Sequence, residues 1–424
     1  MLIQEAKKPL HRHPRTKLPL LPHQCVLFDK WEHHQSFILA TKTGSGKTAA
    51  VTLPVIHKTE SAIFIYPTNA LIQDQEQSIA HLIQQEGLKV KVLTPHNIHE
   101  KYGDEDYQLV RIDAAKLEEF RQALRVRKKG DALLRILQPD KPKIILTNPD
   151  IVYLIFSLRY GDKSAELVGH FQAYPTAVFD EFHLYHGVEL AHALFLIHLA
   201  QEFRGFQRIV LLSATPTPEV LPLINRALNN PLVIDMQSTC QYPQVGERVI
   251  SHHLEFICNY AGTDEVITIA EYLHQKRSLL QKARDSNTDS NYVPCVVILN
   301  SVISAIRLED SLVAMGWARE EIGVIRGLMA KEDRTIDNKL VVIGTSAIEV
   351  GIDFRTDLLL FLASDRTSFL QRLGRLGRHG PGTAVLFGDS REHTAFTSFP
   401  DSLSKDQFED HIRLVYRERA AFPW

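Results

Sequence analysis

Short apolar runs alternate with amphipathic stretches along the first half of the chain. Runs with the character of β-strands lie at residues 36–40, 62–66, 89–93, 143–147, 176–180 and 208–213. Between several of them the apolar positions recur every three or four residues, as in residues 69–85, which is the spacing of an amphipathic helix. Alternating strands and helices predict a parallel sheet covered by helices.

The alternation begins again in the second half, with strand-like runs at residues 248–257, 293–300, 340–345, 358–364 and 383–388. Between the two sets, residues 229–247 are polar and contain proline, which is typical of a connecting segment. We therefore predict an α/β fold of two tandem domains, each a mainly parallel sheet flanked by helices. Their predicted bounds are residues 1–235 and 248–424, joined by a linker at 236–247.

Residues 95–140 carry no clear strand pattern, and we predict that they form a helical insertion in the first domain. The insertion contains a basic run, Arg125, Arg127, Lys128 and Lys129. A solvated helix face is the favoured interpretation of this run, and a contact with nucleic acid is the alternative.

Composition and charge narrow the function classes. The 48 Lys and Arg residues and 50 Asp and Glu residues give a formal net charge of −2, so any nucleic-acid site must be a local basic surface. No apolar run reaches the ~20 residues of a membrane span, and we recognise no signal peptide. The four cysteines, Cys25, Cys240, Cys258 and Cys295, form no CxxC pair, which argues against a zinc ribbon or an iron–sulfur cluster. We expect a cytoplasmic protein without membrane contact.

A glycine-rich turn, ATKTGSGKT at residues 40–48, follows one predicted strand and precedes a predicted helix. Backbone N–H groups of such a turn and the helix N-terminus can bind phosphates, while Lys47 reaches the β- and γ-phosphates and Thr48 offers a hydroxyl to Mg²⁺. Thr41 stands where the general pattern prefers glycine. The predicted nucleotide-binding residues of this turn are Thr41, Lys42, Thr43, Gly44, Ser45, Gly46, Lys47 and Thr48.

An acid pair, Asp180 and Glu181, ends another predicted strand. A phosphate-binding turn needs one acid that holds the metal through its water shell and one base that polarises the attacking water, and we assign these roles to Asp180 and Glu181 in that order. Ser213 and Thr215 also follow a strand, where we expect them to sense the bound nucleotide.

In the second domain, arginines recur at every third position, Arg372, Arg375 and Arg378. This spacing predicts one helical face of guanidinium groups, which is unfavourable unless an anion lies opposite. A γ-phosphate is such an anion, so Arg375 and Arg378 are candidate arginine fingers. An RNA-binding or merely solvated stripe is the alternative. Gly351 and Asp353 are candidates to line the nucleotide from this domain, and Thr345 is a candidate for a nucleic-acid phosphate.

Taken in order, these short motifs resemble the motif series of superfamily 2 helicases. The series reads LPHQ (21–24), TGSGKT (43–48), YPTNAL (66–71), LTNPD (146–150), DEFH (180–183), SAT (213–215), GTSAIEVGID (344–353) and QRLGRLGR (371–378). The DExH form, with YPTNAL, TNPD and EVGIDF, resembles the CRISPR-associated helicases of type I systems, and most of all the stand-alone helicase of type I-D systems. The resemblance implies tandem RecA-like domains.

The resemblance also implies site residues. Gln24 would read adenine and make ATP the fuel, and His183 would couple hydrolysis to strand binding through Gln371. Contacts to the sugar–phosphate backbone of one strand are implied for Pro67, Thr68, Asn69, Thr147, Asn148 and Thr345. Such contacts are independent of base sequence. Single-stranded DNA is the implied strand, in preference to RNA.

We therefore expect an ATP- and Mg²⁺-dependent translocase or helicase that unwinds target DNA for a CRISPR interference complex. None of the 20 histidines is followed by Asp, so the His-Asp doublet of a fused nuclease is missing and we expect a separate nuclease subunit. The alternatives are a DExH helicase of another pathway (RNA processing, DNA repair or restriction) and a non-enzymatic nucleotide-gated module. The latter predicts a damaged Lys47, Glu181 or arginine pair, and all are intact.

Overall fold

The structure is a computed structural model. It describes the chain except for residues 43, 101–102, 139, 158, 161–162, 186, 203–204, 214–219, 290, 326–336, 346–347, 349–353 and 417–424, and except for the side chain of residue 70. The chain divides into two compact units. The first unit runs from Pro9 to Glu247, and the second combines Met1–Lys8 with the described chain from Arg248 to Tyr416.

The strands are β1 (Leu2–Ile3), β2 (Ala6–His11), β3 (Ser36–Ala40), β4 (Ala62–Ile65), β5 (Val90–Leu93), β6 (Tyr107–Ile112), β7 (Lys143–Thr147), β8 (Thr176–Phe179), β9 (Arg208–Ser213), β10 (Leu232–Asp235), β11 (Gln244–Ser251), β12 (Leu254–Tyr260), β13 (Cys295–Ile298), β14 (Ile322–Ile325), β15 (Val341–Gly344), β16 (Leu358–Phe361), β17 (Gly382–Gly388) and β18 (Ser402–Leu403).

The α-helices are α1 (Pro22–Lys30), α2 (Lys47–His57), α3 (Asn69–Gln85), α4 (Ala114–Ala123), α5 (Lys129–Leu137), α6 (Pro149–Phe156), α7 (Ser164–Phe171), α8 (Gly187–Glu202), α9 (Leu221–Leu228), α10 (Glu265–Asp285), α11 (Val302–Ala314), α12 (Arg366–Leu373), α13 (Ser390–Thr397) and α14 (Lys405–Val415). Single 3₁₀ turns lie at Phe182–Leu184 and Arg319–Glu321.

The first unit is built on an eight-stranded sheet in the order β10-β3-β9-β8-β4-β7-β6-β5, and all its neighbouring strands are parallel. Successive residues of each strand serve opposite faces, so Ile63 and Ile65 belong to one apolar core while Phe64 and Tyr66 belong to the other. Since both faces are covered by helices, the strands read as continuous apolar runs, and this is why the sequence pattern found them.

The second unit has an eight-stranded sheet in the order β14-β15-β13-β16-β17-β12-β1-β18. Its strands from β14 to β12 pair in parallel, and β1 joins the edge antiparallel to β12. The predicted α/β class with parallel sheets and flanking helices is confirmed.

The predicted helical insertion at residues 95–140 is wrong in one respect, because β6 lies inside it and pairs between β5 and β7. The polar residues Gln108 and Arg111 interrupt the apolar run of this strand. Gln108 is nevertheless buried, and its amide donates a hydrogen bond to the Glu105 carboxylate. The basic run is exposed, but it spans the turn between α4 and α5 and is not one helix face.

The predicted domain bounds also need correction at the N-terminus. Met1–Lys8 belongs to the second unit, where β1 pairs with β12 and β18. Within the predicted linker, β11 already begins at Gln244 and forms a two-stranded sheet with β2. Strand β1 has only two residues and β2 contains two lysines and a proline, so neither gave a recognisable pattern in the sequence, whereas the end of β11 overlaps the strand-like run at 248–257.

Candidate active site

The glycine-rich turn connects β3 to α2 as predicted. Gly44 and Gly46 have φ values of +80° and +77°, in the left-handed region that glycine adopts without cost. No atom of the described residues lies within 4 Å of where a Cβ at Gly44 would be, so the backbone conformation, and not crowding, selects glycine there. Helix α2 begins directly after Gly46 and directs its N-terminus into the turn.

Thr41, at the position where the general pattern has glycine, braces this turn. Its N–H donates to the Ser213 carbonyl at 3.0 Å, and its hydroxyl accepts from the Ser45 hydroxyl at 2.8 Å. Its carbonyl accepts from Lys47 Nζ at 3.3 Å. Thr41 is buried, so the threonine serves the internal structure of the turn.

The acid pair lies against the same lysine. Lys47 Nζ is 3.8 Å from Glu181 Oε1, and the Glu181 N–H donates to Asp180 Oδ1 at 2.7 Å. Burial raises the pKa of the Asp180 carboxyl to about 7, the Glu181 charge adds to the rise, and Lys47 opposes it. A cation bound beside this carboxylate would favour its ionised form, which burial and the Glu181 charge disfavour.

Glu181 itself has a strained backbone, with φ at +48°, which is uncommon for a residue other than glycine. His183 Nδ1 lies 3.4 Å from Glu181 Oε2, and the His183 side chain is buried. Glu181 therefore lies between Lys47 and His183, and a strained residue in such a place is typical of a functional position.

Gln24 lies in the first turn of α1 and reaches the glycine-rich turn. Its Nε2 donates to the Gly46 carbonyl at 3.0 Å, and its Oε1 accepts from the Leu21 N–H at 2.8 Å. The second N–H of the amide remains available to a ligand, so the side chain can stabilise the turn and also donate a hydrogen bond to a nucleotide base. Thr48 is partly buried in the first turn of α2, one position after Lys47.

Strand register gathers these groups at the carboxyl edge of the sheet. Ala40 is opposite Ser213, and Phe179 is opposite both Ile65 and Leu211. One residue beyond Ile65 lies Tyr66, which the sequence analysis did not single out as a site residue. Tyr66 is fully buried, and its hydroxyl forms no hydrogen bond with any described residue. A tyrosine that ends an otherwise apolar strand at this edge was the available signal.

The predicted strand-binding residues divide into two groups. Thr68 and Asn69 are exposed at the N-terminus of α3, Pro67 is partly exposed beside them, and the Thr68 side chain does not cap the helix. Asn148 caps α6 by accepting from the Ile151 N–H at 3.1 Å, and its Nδ2 donates to Asn69 Oδ1 at 2.9 Å.

Thr147 differs from the other candidates. It is buried, and its hydroxyl donates to the Ile112 carbonyl at 2.8 Å. The structure therefore places this side chain inside the sheet, where it supports β6, and the expected contact of the Thr147 side chain with a strand is corrected.

In the second unit, the predicted helical face of arginines is wrong. Helix α12 ends at Leu373 with Gly374 at its C-cap, so Arg375 and Arg378 follow in the turn, where Gly377 has a φ of +77°. Arg372 is buried and donates to Asn300 Oδ1 at 2.7 Å and to the Leu362 carbonyl. Arg378 Nε donates to the Gly374 carbonyl at 2.8 Å.

Gln371 is partly buried in the last turn of α12. Thr345 follows β15, is buried, and accepts from the Ile348 N–H through its carbonyl at 2.9 Å. The predicted site residues Thr43, Thr215, Gly351 and Asp353 lie outside the described residues. In the part of the chain that the structure describes, no helix has the length and hydropathy to span a membrane, and no three His, Cys, Asp or Glu side chains cluster as metal ligands.

Two family profiles match the chain. The DEAD/DEAH box helicase profile matches residues 21–223, and the profile of the C-terminal part of the CRISPR-associated nuclease/helicase Cas3 matches residues 291–381. A curated relative, described as an uncharacterized ATP-dependent helicase YprA of Bacillus subtilis (strain 168), is 24% identical over 88% of this chain. The match covers 46% of YprA, so the chain spans about half the length of this relative.

Among solved structures, the DUF1998 helicase MrfA bound to DNA and AMPPNP aligns with 99% of this chain and 56% of its own, at a TM-score of 0.65 and 19% identity. The DEAD-box helicase Mss116 bound to ssRNA and UDP-BeF aligns with 95% of this chain and 78% of its own, at a TM-score of 0.60 and 15% identity. These likenesses concern the fold, and tandem RecA-like domains are common to both.

Proposed function

We propose that this chain, a DExH helicase of superfamily 2, uses ATP to move along single-stranded DNA and unwind duplex DNA. The observation that carries the proposal is the placement of Lys47 3.8 Å from Glu181, beside Asp180 and under a braced glycine-rich turn. A phosphate cradle, a metal-seeking carboxylate and a base then share one edge of the sheet, as phosphoryl transfer to water requires.

ATP binding rests on the turn from Thr41 to Thr48, with Gln24 beside it. Backbone N–H groups and the α2 N-terminus would hold the phosphates, and Lys47 would neutralise the β- and γ-phosphates. The spare amide hydrogen of Gln24 suits a purine base edge. Arg375 and Arg378 would supply the remaining positive charge, and Gly351 and Asp353 would line the nucleotide.

Mg²⁺ fits this site because the available side-chain donors are oxygens, the Thr48 hydroxyl and the Asp180 carboxylate. Bound there, it would neutralise phosphate charge that develops during hydrolysis. Glu181 would orient and deprotonate the attacking water, and His183 would hold the Glu181 carboxylate in place from 3.4 Å. Ser213, whose carbonyl supports the turn through Thr41, would respond to loss of the γ-phosphate, as would Thr215, and Gln371 would pass that response to the second unit.

Strand contact would centre on the exposed N-terminus of α3. Thr68 and Asn69 would offer polar groups and the N–H donors of the first helical turn to phosphates, Asn148 orients Asn69, and Thr345 would contribute from the second unit. Because phosphates carry no sequence information, the motor would accept any base sequence.

For the pathway, we propose service to a type I CRISPR interference complex, of the I-D type, with a separate nuclease subunit that cuts the unwound DNA. The match to the Cas3 C-terminal profile supports this proposal. A DExH helicase of another DNA pathway is the second candidate, since the curated relative is named only as an ATP-dependent helicase and the MrfA structure contains DNA.

The decisive experiment is ATP hydrolysis by the purified chain with single-stranded DNA, with RNA or with neither, and with Lys47→Ala as the inactive control. We expect stimulation by DNA, and both nucleotide binding and turnover should fall in the variant. Stimulation by RNA alone would reject the DNA assignment. Adding a type I-D complex assembled on target DNA then tests the pathway, because unwinding that ignores this complex favours the second candidate.

A further inference from the structure

The phenol of Tyr66 lies beside the acid pair. Strands β4 and β8 are parallel neighbours in which Ile65 is opposite Phe179, and the Asp180 N–H donates to the Ile65 carbonyl at 2.9 Å. The next residues, Tyr66 and Asp180, are therefore adjacent across strands that lie about 4.8 Å apart. Tyr66 shares its core with Phe64, and Asp180 is two positions after Val178 of that same core, so both side chains point to one face.

The hydroxyl of Tyr66 is unusual for a buried polar group. The residue is fully buried, and no described residue forms a hydrogen bond with the hydroxyl. A buried hydroxyl without a partner is destabilising, and in a native structure it calls for an explanation. Burial together with the charges of Asp180 and Glu181 raises the pKa of the Tyr66 phenol. The phenolic O–H is by its chemistry a hydrogen-bond donor.

The backbone around Tyr66 is fixed on both sides. Its N–H donates to the Thr147 carbonyl at 2.9 Å, and the neighbouring Ile65 carbonyl is bonded to Asp180. Directly after it come Pro67, Thr68 and Asn69, the residues that we propose meet the strand. The Tyr66 side chain thus faces the acid pair, while its backbone leads directly to the proposed strand contact.

We propose that Tyr66 is a positioning residue whose hydroxyl donates a hydrogen bond to the Asp180 carboxylate when the magnesium-bound nucleotide occupies the site, and that it links the acid pair to residues 67–69. One Asp180 oxygen already accepts the Glu181 N–H, which leaves the other for Tyr66 and the metal's water shell. The inference rests on the proposed function, because it assumes that ATP and Mg²⁺ bind at this edge.

Tyr66→Phe removes only the hydroxyl, and the test compares the full-length variant with the wild type. Binding of a non-hydrolysable ATP analogue is followed during a Mg²⁺ titration. We expect the midpoint of the titration to rise ~10-fold, the scale of one hydrogen bond to a charged group. Binding in EDTA should stay within a factor of two, and DNA-stimulated turnover should fall ~10-fold at saturating ATP. The melting temperature without ligand should be unchanged or higher, because an unbonded hydroxyl is removed.

Tyr107→Phe is the matched control. Tyr107 is buried in the same core, but its hydroxyl donates to the carbonyls of Val55 and Glu60 at 3.1 and 3.2 Å. This variant should melt at a lower temperature with an unchanged Mg²⁺ midpoint, which is the reverse pattern.

An unchanged Mg²⁺ midpoint in Tyr66→Phe, or a lowered melting temperature with equal loss of binding in EDTA, would overturn the role of Tyr66 and leave the proposed function standing. If the wild type binds no magnesium-bound nucleotide, both proposals fail together.

Discussion

The two carboxylates of the acid pair lie in different surroundings. Asp180 is buried and its pKa is raised to about 7, whereas the Glu181 side chain is 20% exposed and 3.8 Å from Lys47. A buried carboxylate that resists ionisation gains most from a bound cation, while the more exposed Glu181 carboxylate can be reached by a water molecule. The assignment of metal binding to Asp180 and base catalysis to Glu181 follows from this difference.

Asp180 should make the empty protein less stable at higher pH. An aspartate ordinarily titrates near ~4, so between about pH 4 and about pH 7 the folded protein holds a proton that the unfolded chain has released. The free energy of unfolding therefore falls as pH rises through this range. Asp180→Asn should melt at a higher temperature than the wild type, by more at pH 8 than at pH 5, in EDTA without nucleotide. An equal difference at the two pH values would contradict the buried, protonated Asp180.

Glu181→Gln keeps the size of the side chain and removes the base. Nucleotide binding should persist, because Lys47 and the glycine-rich turn are intact, while DNA-stimulated hydrolysis should fall at least ~10²-fold, the scale of general-base assistance. Steady-state ATPase assays and equilibrium binding on the same preparation separate the two effects. Turnover equal to that of the wild type would remove Glu181 from its role.

At the scale of elements, the sequence predicted the central strands because parallel strands covered on both faces are continuous apolar runs. The apolar pattern did not predict β6, because the polar Gln108 interrupts it, although in the fold Gln108 is buried and donates to the Glu105 carboxylate. The three-residue period of the arginines also favoured a helix that continues through Gly374, but α12 ends at Leu373.

The residues of the candidate site also differ in how far the sequence alone predicts their roles. Lys47, Asp180 and Glu181 were predictable because their spacing and strand ends are written in the sequence. The roles of Thr147 and Tyr66 were not, because they depend on strand register and on partners more than 30 residues away along the chain, such as Ile112 for Thr147.

Asn148 joins two elements, since it caps α6 and holds Asn69 at the start of α3. Asn148→Ala should cost about 1 kcal/mol of stability through the lost cap, and it should also weaken strand binding because Asn69 loses its orientation. Asp113→Ala removes an equivalent cap from α4 and is the control, with a similar stability loss and unchanged strand affinity. Melting curves and fluorescence anisotropy with a labelled oligonucleotide measure both. Equal strand affinity in the two variants would exclude the orienting role of Asn148.

At the scale of the whole molecule, a net charge of −2 gives no general attraction to nucleic acid. Strand binding must therefore come from local contacts to phosphates, and each phosphate neutralised on a single strand adds ~0.7 to the slope of log affinity against log salt. We expect a steep, linear loss of affinity with salt, with the same slope for oligonucleotides of different base sequence, in anisotropy titrations with a bound ATP analogue. A duplex without a single-stranded tail is the control and should bind more weakly. A flat salt response, or slopes that depend on base sequence, would mean that the protein contacts bases and not phosphates. The proposed translocase would then lack the sequence-independent binding that movement along a strand requires.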